Sequence, residues 1–522
     1  MKMVKSLVLG SAAGLVAMTG AQAADLPVKA KAVEYVRVCS LYGAGFFYIP
    51  GTDTCLKLGG YLRIDTTFNA GGVQDQPAWN GDAGQGNRYR DYYSARSRMA
   101  FTVDTRTATE YGVVRTYSQA DIQFDTLGGS TFNPNSLNTN LGNNANLLNS
   151  AGGGYVAVEF AFIQFAGFTF GKSSSAYATP WHGYPGNNGS NLLGGHDTVT
   201  GVNNIQYTAQ FGNGVSGTIG LDDPTVFNRT AVYNLAQPGA TAGTPGISAV
   251  GTLGNAYGGV HSPDVVGNIR IDQAWGLFQI SAAAHEVDGS YNTLGASAAP
   301  TGASELSGHP ETKWGGSVML GLNIKNIPTG PGDDIKIDAT YAKGDTKNVI
   351  STSGASPSFA MFGSSSRAYQ SVGFGATTDG VYLPVAAGGD GNIHLTDAWG
   401  VRGGYNHNWD PYWSSSLFGS ASWVKYDGTA KTAFCTTYGV IATNKSADYS
   451  CNPDFAVFQV GTITRWTPVK NLTFSAEVMY TRLDQNFSGT ATLTPSAPKP
   501  SAVYQFKDQD TVSLELRAQR NF

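Results

Sequence analysis

Four arginines, Arg63, Arg96, Arg98 and Arg115, carry the clearest chemical potential in this chain. Around them the sequence alternates: Leu56, Leu58, Leu62 and Ile64 fall on one parity and Lys57, Tyr61, Arg63 and Asp65 on the other. Successive side chains of a strand point to opposite faces, so this pattern gathers the arginines on one polar face. A guanidinium stays charged and presents five donors in a fixed fork. Such a face attracts and orients anions without transforming them. Arg270 and Arg402 have the same parity in later segments, and Asp121 and Glu159 place negative charge on the same side. Catalytic signatures are missing. The seven histidines (182, 196, 261, 285, 309, 394, 407) are scattered, and no H-E-x-x-H, G-x-S-x-G or P-loop occurs. The run Gly388-Gly389-Asp390-Gly391-Asn392 reads as a flexible turn before it reads as a cation site. No catalytic centre, metal or cofactor is therefore expected.

Four cysteines form two sequence-local pairs, and the simple reading in an oxidising compartment is Cys39–Cys55 and Cys435–Cys451. By chain entropy each closure would contribute about 3 kcal/mol. The spacing lacks the C-x-x-C signature of a zinc site. The compartment is read from the first residues. Lys2 and Lys5 precede a short apolar run, Leu7 to Met18, and Ala21-Gln22-Ala23 is an A-x-A site, so residues 1–23 are expected to be a secretory leader.

The elements that must position the arginines are short and numerous. Period-2 alternation marks sixteen candidate strands: 56–68, 92–104, 109–124, 154–164, 167–173, 199–211, 214–222, 264–274, 276–287, 313–325, 333–343, 393–408, 413–426, 454–466, 470–483 and 508–522. The gaps between them alternate in length. Short links are expected at Thr105–Ala108, Phe165–Ala166, Gly212–Asn213, Trp275, Asn326–Gly332, Asn408–Tyr412 and Thr467–Val469. Long Gly/Asn/Ser-rich stretches occupy 69–91, 125–153, 174–198, 223–263, 288–312, 344–392, 427–453 and 484–507. Short turns at one end and long loops at the other are the pattern of an up-and-down barrel in a membrane. Lipid offers no hydrogen-bond partners, so such a sheet must close. About sixteen strands enclose water rather than packed side chains.

Composition agrees. Charged residues are only 13%, Gly numbers 67, and mean hydropathy is −0.17, as expected when half of each strand faces lipid and half faces water. The net charge of −4 implies no nucleic-acid surface. No apolar run beyond Ala23 approaches the ~20 residues of a spanning helix. Aromatic residues cluster near segment ends: Phe165, Phe168, Phe170, Trp275, Phe278, Trp399, Trp409, Trp413 and Trp466. The chain ends on Phe522 at the close of an alternating strand, the form expected of substrates of the barrel assembly machinery. Residues 24–55 are read as a periplasmic or lumen-mouth segment and 56–522 as the barrel.

The stretch Val38-Cys39-Ser40-Leu41-Tyr42-Gly43-Ala44-Gly45-Phe46-Phe47, continued by Cys55-Leu56-Lys57-Leu58-Gly59-Gly60-Tyr61-Leu62-Arg63, resembles the opening of mature alphaproteobacterial general porins. Ser94-Ala95-Arg96-Ser97-Arg98 and Phe101-Thr102-Val103-Asp104-Thr105-Arg106 look like the second strand of the same family. The resemblance implies an all-β transmembrane barrel of sixteen antiparallel strands. It also implies a homotrimer in outer-membrane lipid, a third extracellular loop folded inward, and passive diffusion of small hydrophilic solutes and ions. By order that loop is residues 174–198, with Tyr177, Trp181 and Tyr184 expected to pack it against the wall. The loop departs from the family's acidic pattern, since Asp197 is its only acid. With so little opposing negative charge, the four arginines are expected to form one basic patch with a mild anion preference. Alternatives remain open: a sugar-selective channel with an aromatic track, a secreted soluble β protein, and an outer-membrane hydrolase. Inward-parity aromatics look sparse (Tyr61, Tyr111, Tyr117).

Overall fold

The computed structural model describes residues 37–69, 92–125, 155–189, 192–225, 228–236, 255–295, 300–350, 358–495 and 499–522. The expected leader and residues 24–36 lie outside the described residues, as do most of the first and second long gaps. Sixteen antiparallel strands form a closed ring. They are β1 (Cys55–Phe68), β2 (Tyr93–Thr109), β3 (Gly112–Asp125), β4 (Tyr155–Phe165), β5 (Phe168–Ser173), β6 (Val202–Gly212), β7 (Val215–Asp222), β8 (Asp264–Gln273), β9 (Gly276–Val287), β10 (Lys313–Lys325), β11 (Asp334–Lys343), β12 (Asp397–Asn408), β13 (Trp413–Lys425), β14 (Phe455–Val469), β15 (Leu472–Gln485) and β16 (Gln509–Asn521). Each pairs with its sequence neighbours, and β16 closes on β1 from Tyr61↔Asn521 to Phe68↔Leu514. A short strand, Phe47–Tyr48, adds to the start of β1.

The alternation sets the faces. Leu58, Leu62, Ile64, Phe101, Ile205, Ile219, Ile269, Leu320, Val401, Leu417 and Leu516 are all exposed. The intervening Asp65, Arg96, Asp121, Gln279, Asp338, Gln459 and Glu515 are buried. A water-soluble protein would invert this pattern, because it does not leave so large an apolar band uncovered. In a closed barrel the exposed set faces lipid and the polar set faces the lumen.

Local chemistry makes the short turns. Ala166 and Gly167 have φ of 49° and 85°, and Asn213 and Gly214 have 51° and 76°. Positive φ at both central residues is the hairpin turn whose twist matches the flanking strands. Two expected links are displaced by more than one residue. Thr105–Ala108 lies inside β2, whose pairing with β3 runs on to Thr109↔Gly112, and the turn is Glu110–Tyr111. Thr467–Val469 completes β14 through an irregularity between Trp466 and Val469, and the turn is Lys470–Asn471. In both cases threonines, good strand formers, extend the ladder by a few residues. Tyr111 thus sits in a turn rather than on the wall.

The long gaps are not structureless. Phe359–Gly363, Gln370–Gly375, Ala502–Phe506 and Thr490–Leu493 form a four-stranded sheet. Val232–Asn234, Gly380–Tyr382 and His394–Leu395 form a three-stranded one. A helix, α1, spans Gly428–Ile441. Asp427 caps it by accepting from the Ala430 amide at 2.7 Å, as a helix N-terminus requires. Phe359, Phe374, Phe434, Tyr504 and Phe506 share one core with Ala342, Val424, Phe455 and Leu483 at the loop-side ends of the strands. Burying each of the larger side chains contributes about 1.5–3 kcal/mol, so the loops form a cap with an apolar core seated on β11–β16. The disulfide Cys435–Cys451 ties α1 to the following segment, and Cys39–Cys55 ties the N-terminal segment to β1.

Candidate functional site

The inner wall of β16, β1, β2 and β3 holds a ladder of paired charges. Asp65 is opposite Arg96 on one side and Arg517 on the other. Arg96 donates to Asp65 at 3.1 Å, and Arg517 Nε donates at 2.6 Å. Arg517 also meets Glu515 at 2.9 Å. Arg98 pairs with Asp121 at 2.8 Å and donates to Gln123. Arg63 differs: it donates to Gln519 at 2.8 Å, lies 4.3 Å from the Tyr61 ring centre, and forms no ion pair among the described residues. Partly exposed, it is the wall arginine that no carboxylate of the described residues holds. Glu159 on β4 is buried beyond Asp121.

Arg63, Arg96 and Arg98 therefore stand together, in adjacent register rows of β1 and β2. Arg115 does not join them. It faces Arg106 eight residues along β3 from the Arg98–Gln123 row, about 26 Å away toward the short turns. There it meets Asp104 at 3.0 Å, as Arg106 also does. Arg270 pairs with Asp272 at 3.1 Å, near the same end. Arg402 is buried on β12 against Asp338 at 2.9 Å.

The segment after β5, residues 174–198, is bonded to side chains of the lumen parity on a succession of strands. Asn268 of β8 donates to the Ala176 carbonyl at 2.6 Å, and Gln279 of β9 to that of Ala178 at 2.7 Å. Asn406 of β12 reaches Pro185 at 3.0 Å, Arg465 of β14 reaches Gly186 at 2.6 Å, and Arg517 of β16 reaches Asn188 at 2.9 Å. The Asn188 amide donates to Glu477 of β15 at 2.6 Å, and the Leu193 amide to Gln459 of β14 at 2.8 Å. Backbone acceptors and donors of an irregular segment need such partners when buried. Wall glycines make room for it. A Cβ on Gly404 would lie 2.8 Å from the Pro185 carbonyl oxygen, and one on Gly321 would lie 2.7 Å from Pro180 Cδ. Tyr177 is buried with Val266 and Met319, and Trp181 is buried nearby. Tyr184 is partly exposed. Asp197 is buried and accepts from the Val199 amide at 2.9 Å, so it stabilises the turn into β6. Burial pushes the His196 imidazole down to about 4, and its Nδ1 lies 2.6 Å from the Asn348 side-chain oxygen.

Above the wall, Asp379 gathers several loops. It accepts from the Thr346 amide at 2.7 Å, the Thr230 amide at 3.0 Å and the Tyr257 hydroxyl at 2.9 Å. Asp338, Arg465, Glu477, Glu515 and Arg517 were not among the expected site residues, and Asp65 was placed on the polar face without a partner. Most are separated from their partners by hundreds of residues, and only closure of the ring and the course of the loop bring them together.

A closed barrel, apolar outside and polar inside, is the architecture of outer-membrane β-barrels. The chain belongs to the porin subfamily, which it matches over residues 25–514. Porin Omp2b of Brucella suis biovar 1 (strain 1330) is 35% identical over 276 residues, 52% of this chain and 63% of that protein. Porin Omp2b of Brucella abortus (strain 2308) gives the same figures. The chain thus spans 63% of the length of these curated relatives in the matched region. The crystal structure of the outer membrane channel DcaP of Acinetobacter baumannii has a TM-score of 0.53 at 14% identity, covering 91% of this chain and 99% of that one, which shows a shared fold.

Proposed function

We propose that the protein is a general diffusion porin: a water-filled channel through the outer membrane for small hydrophilic solutes and ions, with no catalytic role. One observation carries this reading, the closed sixteen-strand ring with apolar residues outward and charged residues inward. A barrel of this size leaves room for an aqueous path. Loop 174–198 is read as an inward-folded constriction, because its partners are lumen-side groups on strands across the barrel. The path then runs between the loop and the wall of β1–β4, past Arg63. Residues 1–23 are read as the leader, 24–55 as the periplasmic entry segment and 56–522 as the barrel, assembled through the machinery that reads Phe522. By family the working unit is a homotrimer. The pairing of Arg96, Arg98 and Arg517 with acids leaves Arg63 as the main unpaired charge on this wall, so the reading is a weak anion preference.

Liposome swelling tests the word general. Rates should fall smoothly as sugars grow. A sharp preference among sugars of equal size would replace this reading with a substrate-selective channel.

A further inference from the structure

The lipid-facing surface carries a second pattern that the channel does not use. At the loop-side ends of β11, β12 and β13, two register layers lie one above the other. The upper layer is Lys343, Asp397 and Lys425, paired in that order across the three strands. The lower layer is Tyr341, Trp399 and Trp423, paired in the same order. The parity is that of exposed Ile337 and Val401, so both layers face outward. Trp399 and Trp423 stack at 6.2 Å, and Phe458 of β14 meets Trp423 edge-on at 5.7 Å. Asp397 is already engaged: it accepts from the Tyr341 hydroxyl at 2.6 Å and lies 3.6 Å from Lys343 Nζ. Lys425 has no carboxylate partner among the described residues, and its ammonium lies 5.0 Å from the Trp399 ring centre.

An aromatic floor at the membrane boundary is expected of any barrel. Two exposed lysines set directly above that floor, one of them without a counter-charge, are not. Their order matches an amphiphile: phosphate at the lysines, the polar–apolar junction on the indoles, and acyl chains along Ile337 and Val401. Basic residues at this depth attract anionic headgroups. We propose that the outer face of β11–β13 is a binding site for a phosphate-bearing lipid of the membrane leaflet on the loop side, held by Lys343 and Lys425 over Trp399 and Trp423. A free phosphate would use the lysines but would have no use for the indoles.

Native mass spectrometry of the detergent-solubilised full chain tests this with dioleoyl phosphatidic acid, dioleoyl phosphatidylcholine and inorganic phosphate as probes. The protein should retain phosphatidic acid over phosphatidylcholine. Combined Lys343→Gln and Lys425→Gln should cut that retention about tenfold, whereas Lys470→Gln, at a turn on the opposite end, should leave it unchanged. Failure to retain phosphatidic acid over phosphatidylcholine, or equal retention by the double variant, would overturn the site. Binding of inorganic phosphate as tight as that of phosphatidic acid would overturn its lipid character. Both lysines point away from the lumen, so the double variant should conduct as the parent does, and failure of the lipid site leaves the channel reading standing.

Discussion

Arginine on the wall of an aqueous path acts on solutes only to the extent that nearby carboxylates leave its charge uncompensated. Asp65 sits between Arg96 and Arg517, and Asp121 holds Arg98, so the ladder is close to neutral. Replacing Arg96 and Arg98 together by Ala should tip this balance and raise the cation-to-anion permeability ratio by at least about fivefold, since each of the two charges removed is worth ~1 kcal/mol at ~4 Å in water. Reversal potentials in a salt gradient measure it, and an unchanged ratio would remove the wall from the selectivity argument. On the loop side, His394 donates to Asp427 and Asp390, each at 2.9 Å. Partial burial works against its charge, but the two carboxylates outweigh that and hold its pKa above the ordinary imidazole value, while both acids are held below theirs. The His394 contribution is complete below its unfolded pKa and is lost as pH rises through its raised folded value. The acids' contribution is lost as pH falls through their depressed values. Protection of the amides in the turn 388–392, after correction for the intrinsic base catalysis of exchange, should therefore fall on alkalinisation, and His394→Gln should abolish that fall. Side-chain parity placed Arg63 and Asp65 on the polar face from sequence alone. The Asp65–Arg517 contact was not legible, because the two are 452 residues apart and meet only at the closing seam.

At the scale of elements, strands were readable because lipid and water impose a strict two-residue period. β9 and β10 fall at the expected residues, and the others shift at their ends by a few. Helix α1 and the two small sheets of the cap were hidden among glycines and polar residues. Asp427 as a helix cap was the available sign of α1, whose threonines and glycines are weak helix formers, and the sheets depend on pairings between distant gaps. Loop 174–198, proposed above as the constriction, is seated against glycines on other strands. Gly404→Val should force the loop away from Pro185, widen the path and raise single-channel conductance. Val401→Ile, on the lipid face of the same strand, should leave conductance unchanged. Equal conductance in the two variants would mean that this loop does not limit the path.

For the whole molecule, ring closure, the apolar exterior and the charged interior together require an environment that only a membrane provides. On the reading proposed above, they would enclose a passage that stays open without an energy source. Planar-bilayer recording of the purified, full-length protein tests this most directly. The prediction is stepwise, ohmic increases in conductance that arrive in threes, as three channels of one trimer insert together. Protein that inserts into the bilayer yet produces no conductance steps would contradict it.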